Sequence, residues 1–257
     1  MNDMFSLKDK VAIVIGGTKG IGLGIARGLS RSGARVAVAS RHDEDCQSIA
    51  RAITEETGME AMGMATDVTC VEDVQRLFDA TVQRFGRLDI VVTSAGVNVR
   101  KDTVDFTEKD WDTVQDVQLK GAFFACQAAG RYFIEHGVKG KIINVCSIDA
   151  FVVSRSNIIS YMAAKGAVAQ MTKALAVEWA TKGICVNAIA PGYFETEMTK
   201  VLFQNPETRE ELFRSIPQQR FGDVNNDLAG LAIYFASEAS NYTTGQVVCV
   251  DGGYTLI

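Results

Sequence analysis

Seven short apolar runs punctuate the chain: "KVAIVIGG", "ARVAVAS", "EAMGMATDV", "LDIVVTSAG", "GKIINVCS", "ICVNAIAPG" and "GQVVCVDGG". Each is too short for a helix and is bounded by glycine or polar residues, the signature of a strand buried on both faces. Between them lie helix-length segments with apolar residues at helical spacing. In "EDCQSIARAITEET", Asp43 is placed to cap the start and Gly58 to close the end, and Val71 to Phe85 stops at Gly86. This alternation predicts an α/β protein: a Rossmann-like, doubly wound, seven-stranded parallel sheet with helices on both faces. Ligands of such sheets bind beyond the strand C-termini, so the loops after the strands are where chemistry is expected. The least regular stretch, Tyr193 to Phe221, predicts a mobile insertion of short helices.

With 257 residues and 47% hydrophobic content, the chain can bury one large core, so residues 1–257 are expected to form a single domain. A net charge of −5, without any Lys/Arg cluster, excludes a phosphate-backbone partner, so no nucleic acid is expected. "MNDMFSLKDK" lacks a signal-peptide pattern, and no apolar run reaches the roughly 18 residues of a spanning helix. No membrane association and a soluble, cytoplasmic protein are expected. The six cysteines contain no C-x-x-C pair, and the only histidines are His42 and His136, the latter at a probable helix end. That argues against a zinc site, a disulfide framework and Ser-His-Asp chemistry, and no metal is expected. Cys126, Cys146, Cys185 and Cys249 lie in apolar runs, where cysteine behaves as a small buried hydrophobe.

"VAIVIGGTKGIGLGIARGL" passes from a strand through a glycine turn into a helix. Gly16, Gly20 and Gly22, with Thr18, Lys19 and Ile21 among them, let backbone amides and the helix N-terminus approach a pyrophosphate. At the end of the second strand stand Ser40 and Arg41, where an NAD site would place a carboxylate. A hydroxyl and a guanidinium suit a 2′-phosphate, and Lys19 adds a second charge, so NADP(H) is the expected cofactor; the alternative is that both cations are merely solvated. Asp67 and Val68 end the third strand, where they could meet the adenine.

Tyr161 and Lys165, in "ISYMAAKGA", share a helix face. Such a pair is usually an ordinary surface contact. An ammonium about 4 Å from a phenol at an effective dielectric of about 20 could nevertheless lower its pKa by about three units, enough for acid/base work near neutrality. Ser147 ends a strand ahead of Tyr161, and "APGYFET" follows the sixth strand, with Pro191, Gly192 and Thr196 placed to meet a nicotinamide amide.

The glycine turn, Ser147, Tyr161, Lys165 and Pro191-Gly192, in this order and across nearly the whole chain, resemble the short-chain dehydrogenase/reductase family. The resemblance implies hydride transfer between NADP(H) and a carbonyl/alcohol carbon, with Tyr161 as proton donor, Ser147 positioning the oxygen, and Lys165 lowering the Tyr161 pKa while holding the nicotinamide ribose. It also implies Ala95 and Gly96 beside the cofactor and a homotetramer, and the helix around Lys165 is apolar on more than one face. Three positions depart from the family pattern. Gln118 stands for the fourth catalytic asparagine, which bears on a water-linked relay to Lys165. Ile15 replaces a frequent threonine, and "TSAG" replaces "NNAG", although Thr93 and Ser94 keep hydrogen-bonding capacity.

Within the family, "DFTEKDWDTVQDVQLKGAFFACQAAGRYF" and "NAIAPGYFETEMT" look most like the sugar-acid dehydrogenases that act on gluconate or deoxygluconate. Arg100 and Arg155 are then candidate carboxylate partners, and Asp149 and Tyr193 further substrate contacts. Phe151, Val152 and Val153 would equally line a site for an apolar ketone. The rivals are a reductase of 3-oxoacyl thioesters or natural-product ketones, and an NADP-binding regulatory protein whose catalysis has decayed.

Overall fold

Alternate residues of the central strands face opposite helical layers. A computed structural model of the protein describes residues 4–197 and 199–257, the side chains of Val201 and Leu202 apart. Its strands are β1 (Val11–Ile15), β2 (Arg35–Ser40), β3 (Ala61–Ala65), β4 (Ile90–Thr93), β5 (Lys141–Val145), β6 (Cys185–Pro191) and β7 (Val247–Val250). They pair in parallel, as the seven apolar runs predict, and their order is β3-β2-β1-β4-β5-β6-β7; the edge strands β3 and β7 are only part-buried because each has a neighbour on one side alone. The helices on one face are α1 (Gly20–Arg31), α2 (Asp43–Thr57) and α9 (Ala229–Ala236). On the other lie α3 (Val71–Phe85), α5 (Gly121–Glu135) and α6 (Ile159–Trp179). Val11, Ile13 and Ile15 pack towards the second layer and Ala12 and Val14 towards the first. Burying each such Val or Ile stabilises the fold by about 1.5–3 kcal/mol.

The helix ends follow local chemistry, with one correction. Gly58 and Gly86 close α2 and α3 in the left-handed conformation, at φ 73° and 79°. Asp43, expected to cap α2, is instead its first helical residue; His42 occupies the cap position and makes no side-chain cap bond. Asp43, Glu44 and Asp45 therefore act on the positive end of the helix dipole and leave the amides uncapped.

Two features shape the cleft. Between α4 (Glu108–Gln115) and α5, residues Asp116–Lys120 form a π-helical turn, which widens the helix where Gln118 enters the interior. The irregular stretch after β6 folds into α7 (Lys200–Gln204) and α8 (Pro206–Arg214); Asn205 caps α8 by accepting from the Thr208 N–H at 3.1 Å. Leu212 and Ile216 seat this insertion on Ile148 and Tyr193, beside the C-terminal ends of the strands.

Close approach fixes α1 against the segment leading to α9. A Cβ added at Gly24 would fall 1.9 Å from the Val224 carbonyl oxygen, whereas one at Gly230 in α9 meets nothing within 4 Å. Gly24→Ala should therefore destabilise the protein by about 1–3 kcal/mol through overpacking against backbone. Gly230→Ala should be neutral or stabilising by up to about 1 kcal/mol. Urea unfolding of the two variants checks this, and equal midpoints would contradict it.

Candidate functional site

Strand order reverses at β1, which pairs with β2 on one side and β4 on the other, so the loops after β1 and β4 flank a crevice. At its floor the backbones nearly touch: a Cβ on Gly16 would lie 2.5 Å from the Ala95 nitrogen, and one on Gly22 would lie 2.1 Å from the Gly16 oxygen. Gly16 and Gly20 also hold positive φ, 79° and 55°. The opening turn of α1, whose first amides have no intrahelical acceptors, forms one wall. The resulting cavity measures about 950 Å³, and the candidate cofactor, catalytic and sugar-acid residues, from the glycine turn to Ser147, Tyr161, Lys165, Gln118 and Thr196, line it; Phe151, Val152 and Val153, expected to line a site for an apolar ketone, do not.

At the end near β2, Arg41 and Lys19 are exposed and form no ion pair among the described residues. Two uncompensated cations at the mouth of a glycine-floored crevice fit a phosphate beyond the pyrophosphate. The Ser40 hydroxyl shares a 3.3 Å contact with the Cys46 thiol. Asp67 Oδ1 is engaged by its own turn, accepting from the Thr69 N–H at 2.9 Å and the Thr69 hydroxyl at 2.8 Å. Ser94 lines the cleft, but Thr93 turns away from it and donates to Asn144 Oδ1 at 2.8 Å, while Asn144 Nδ2 donates to Thr172 at 3.0 Å. Thr93 is thus part of a buried polar tie between β4, β5 and α6.

At the other end, Ser147 follows β5 and Tyr161 occupies the first turn of α6, with Lys165 one turn on. The Ser147 hydroxyl accepts from the Asp149 N–H at 3.1 Å and donates to Asp149 Oδ2 at 3.1 Å. Ser154 donates to the other oxygen of the same carboxylate. Lys165 is 5% exposed; its Nζ donates to the Val145 carbonyl at 2.8 Å and sits 5.5 Å from the Tyr161 ring centroid. Burial pushes the Lys165 ammonium down to about 8. Burial also raises the Tyr161 phenol well above its ordinary value, an effect only partly opposed by its hydrogen bond with Ser147.

In the free protein burial sets the direction of the Tyr161 shift, and the Lys165 ammonium donates to a backbone carbonyl.

Gln118 is 2% exposed; its Nε2 donates to the Val97 carbonyl at 2.8 Å, while its Oε1 is buried without a partner. The longer amide thus clamps the loop after β4 and leaves an acceptor free at the cleft wall.

Towards the insertion, the Arg155 guanidinium lies 6.0 Å from the Tyr193 ring centroid, and both Arg155 Nε and the Tyr193 hydroxyl are buried without a partner. Arg100 is lowered, first by burial and then by the charge of Arg155. The structure thus brings Arg100, Asp149, Arg155 and Tyr193 together. Sequence reasoning missed Ser154, which holds Asp149, and Asn98, whose buried Oδ1 also lacks a partner. Ser154 lies between Asp149 and Arg155 in a loop already marked by its charges; Asn98 carries no such signal. Cys126, Cys146 and Cys185 are buried as expected, but Cys249 is only half-buried.

Lys165 makes a pH prediction with a definite sign. Its folded pKa, about 8, lies below the ordinary lysine value of 10.5, so between these values the unfolded chain binds more protons and stability contributed at this site rises with pH. Below pH 8 the buried ammonium costs about 3 kcal/mol relative to a solvated one. Lys165→Met should be more stable than wild type at pH 7, with the difference shrinking towards pH 10. Denaturant unfolding across that range checks it, and a difference independent of pH would refute it.

Comparison with known proteins agrees with this geometry. Residues 16–255 match the family model described as enoyl-(acyl carrier protein) reductase. The chain is 39% identical to gluconate 5-dehydrogenase of Gluconobacter oxydans, covering 99% of this chain and 98% of that protein. It is 38% identical to 2-dehydro-3-deoxy-D-gluconate 5-dehydrogenase of Escherichia coli, covering 97% of each. The solved gluconate 5-dehydrogenase of Burkholderia cenocepacia, in complex with NADP and tartrate, has a TM-score of 0.94 at 38% identity and covers 99% of this chain and 98% of its own. With the parallel sheet, the glycine-floored crevice and full-length similarity in agreement, the chain belongs to the short-chain dehydrogenase/reductase family of oxidoreductases.

Proposed function

We propose that this enzyme uses NADP(H) to interconvert a ketone and a secondary alcohol on a sugar acid of the gluconate/ketogluconate class. One observation carries the substrate class: two buried donors without partners, Arg155 Nε and the Tyr193 hydroxyl, stand beside Arg100 in the same cavity as Ser147 and Tyr161. Unpartnered buried donors are costly, and a carboxylate with neighbouring hydroxyls would satisfy them.

The cofactor, when bound, supplies or accepts the hydride. The glycine turn and α1 would hold its pyrophosphate, Arg41 and Lys19 its 2′-phosphate, and Lys165 its nicotinamide ribose. Burial keeps the Tyr161 phenol protonated at neutral pH, so it is ready to give its proton to the oxygen of a ketone. Ser147, whose own proton is directed to Asp149, offers its remaining lone pair to a hydroxyl in the site and turns its O–H to the substrate oxygen when Asp149 releases it. Since Lys165 titrates near 8, it is mainly cationic at pH 7 and can stabilise the tyrosinate that the transfer leaves.

The rival reading, an apolar ketone or a 3-oxoacyl thioester, has less support, since Phe151 and Val153 are 49% and 82% exposed and lie outside the lining of the cavity that holds Ser147 and Tyr161. We extend the proposal to a homotetramer, supported by the apolar side chains of Phe123 and Val177 left exposed on α5 and α6; a monomer mass in light scattering would set that extension aside.

One experiment separates the readings: NADPH oxidation with 5-ketogluconate, an acetoacetyl thioester and a bulky apolar ketone. Selective turnover of 5-ketogluconate is expected. Tyr161→Phe should retain NADPH binding and lose about 100-fold or more in kcat, the usual contribution of a positioned acid. Arg155→Ala should raise the 5-ketogluconate KM by about tenfold or more, the scale of a lost charge-assisted hydrogen bond. NADPH binding without turnover of any ketone would favour the decayed-regulator alternative, and near-wild-type Tyr161→Phe rates would remove Tyr161 from the mechanism.

A further inference from the structure

At the opposite end of the sheet, where the strands begin, a second cavity of about 410 Å³ opens beside β1, β4 and β5. Four basic side chains, Lys10, Arg87, Lys139 and Lys141, line it with only two acidic ones, Asp89 and Glu238. This surplus of positive charge occurs in a chain whose net charge is −5.

The two carboxylates do not neutralise the wall evenly. Asp89 is 5% exposed and spends both oxygens locally: Oδ1 accepts from Arg87 Nη2 at 2.7 Å, and Oδ2 accepts from Arg87 Nε at 2.9 Å and from the Val11 N–H at 3.0 Å. Lys10 is left at long range, 3.9 Å from Asp89 and 3.8 Å from the exposed Glu238. Lys139 is exposed and has no ion pair among the described residues.

Lys141 is the decisive group. It is 7% exposed, and its ammonium donates only to neutral atoms: Ser240 Oγ at 3.1 Å, Asn241 Oδ1 at 2.9 Å and the Cys185 thiol at 3.6 Å. Burial pushes its pKa below the ordinary lysine value. A buried charge is normally paired with an opposite one; here all three protons go to neutral acceptors, so dipoles and no carboxylate within hydrogen-bond reach compensate the charge on the cavity wall.

We propose that this cavity is a binding site for a small doubly charged oxyanion of the phosphate class, separate from the catalytic cleft, with Lys141 and Lys139 as its principal cations. Neither residue takes part in the cofactor or substrate contacts proposed above, so this site stands or falls independently of that reading.

Inorganic phosphate is the probe. It is titrated into NADPH-saturated protein carrying Arg100→Ala and Arg155→Ala, which together remove the competing cationic subsite of the cleft, and thermal unfolding is followed against chloride at matched ionic strength. A ligand that binds only the folded state raises Tm along a saturating curve, whereas the general effect of phosphate on burial rises without saturation. Expected are a saturating rise, a half-saturation shifted about tenfold or more by Lys139→Ala, and loss of the saturating component in Lys141→Met. Lys139 is exposed and unpaired, so that variant decides the matter even if Lys141→Met fails to fold. A rise that does not saturate, or one that Lys139→Ala leaves unchanged, would overturn the proposal.

Discussion

The functional architecture depends on two loops meeting without side chains between them. Where strand order reverses at β1, the turn carrying Gly16 runs so close to Ser94 and Ala95 that a Cβ would collide with backbone. Backbone cannot be moved aside as a flexible side chain can, so a larger residue would wedge the loops after β1 and β4 apart. The same contact aims the start of α1 at the crevice and sets the distance from that helix end to the loop after β5, where Ser147 stands. The opening turn of α1 and the acid/base centre thus share one reference frame, fixed by hard-core repulsion and the parallel register.

Desolvation governs the chemistry in that frame. It raises the Tyr161 phenol and lowers the Lys165 ammonium, so each is biased towards its neutral form. In the free protein Lys165 donates to the Val145 carbonyl with its Nζ 5.5 Å from the Tyr161 ring centroid, so burial acts on both groups at one wall of the cleft. Gln118 stands at the same wall: its amide holds the Val97 carbonyl, and its buried Oε1 has no partner.

Much of this was legible in the sequence because it rests on local, periodic signals. Strands buried on both faces must be continuous apolar runs, left-handed helix ends must be glycine, and Tyr161 and Lys165 share a face by helical spacing alone. What was not legible depends on tertiary partners. The acceptor for Lys165 is a backbone carbonyl, which no residue type marks. Thr93 faces away from the cleft because Asn144 and Thr172 claim it from β5 and α6. The π-helical turn at Asp116–Lys120 keeps the polar and apolar pattern of an ordinary helix, and Asp43 missed the cap by one residue because His42 takes the extended conformation. The basic cavity gathers residues from the starts of three strands and remained invisible to motif reading.

The arrangement of Asp149 shows how a carboxylate can sit in an anion-binding site without neutralising it. Arg100 feels the charge of Arg155, and the Asp149 carboxylate acts on Arg100 in the opposite direction. Left free, it would be drawn into a bidentate pair with one of the guanidinium groups, the strongest contact open to it. Instead Ser147 donates to one oxygen and Ser154 to the other, while the Asp149 N–H bonds back to Ser147. These bonds anchor the carboxylate on the serine side of the cleft, so its charge lessens the repulsion between the arginines while their donors stay open. The same anchor orients Ser147, so the electrostatics of the proposed substrate site and the geometry of the reacting centre are set by one side chain.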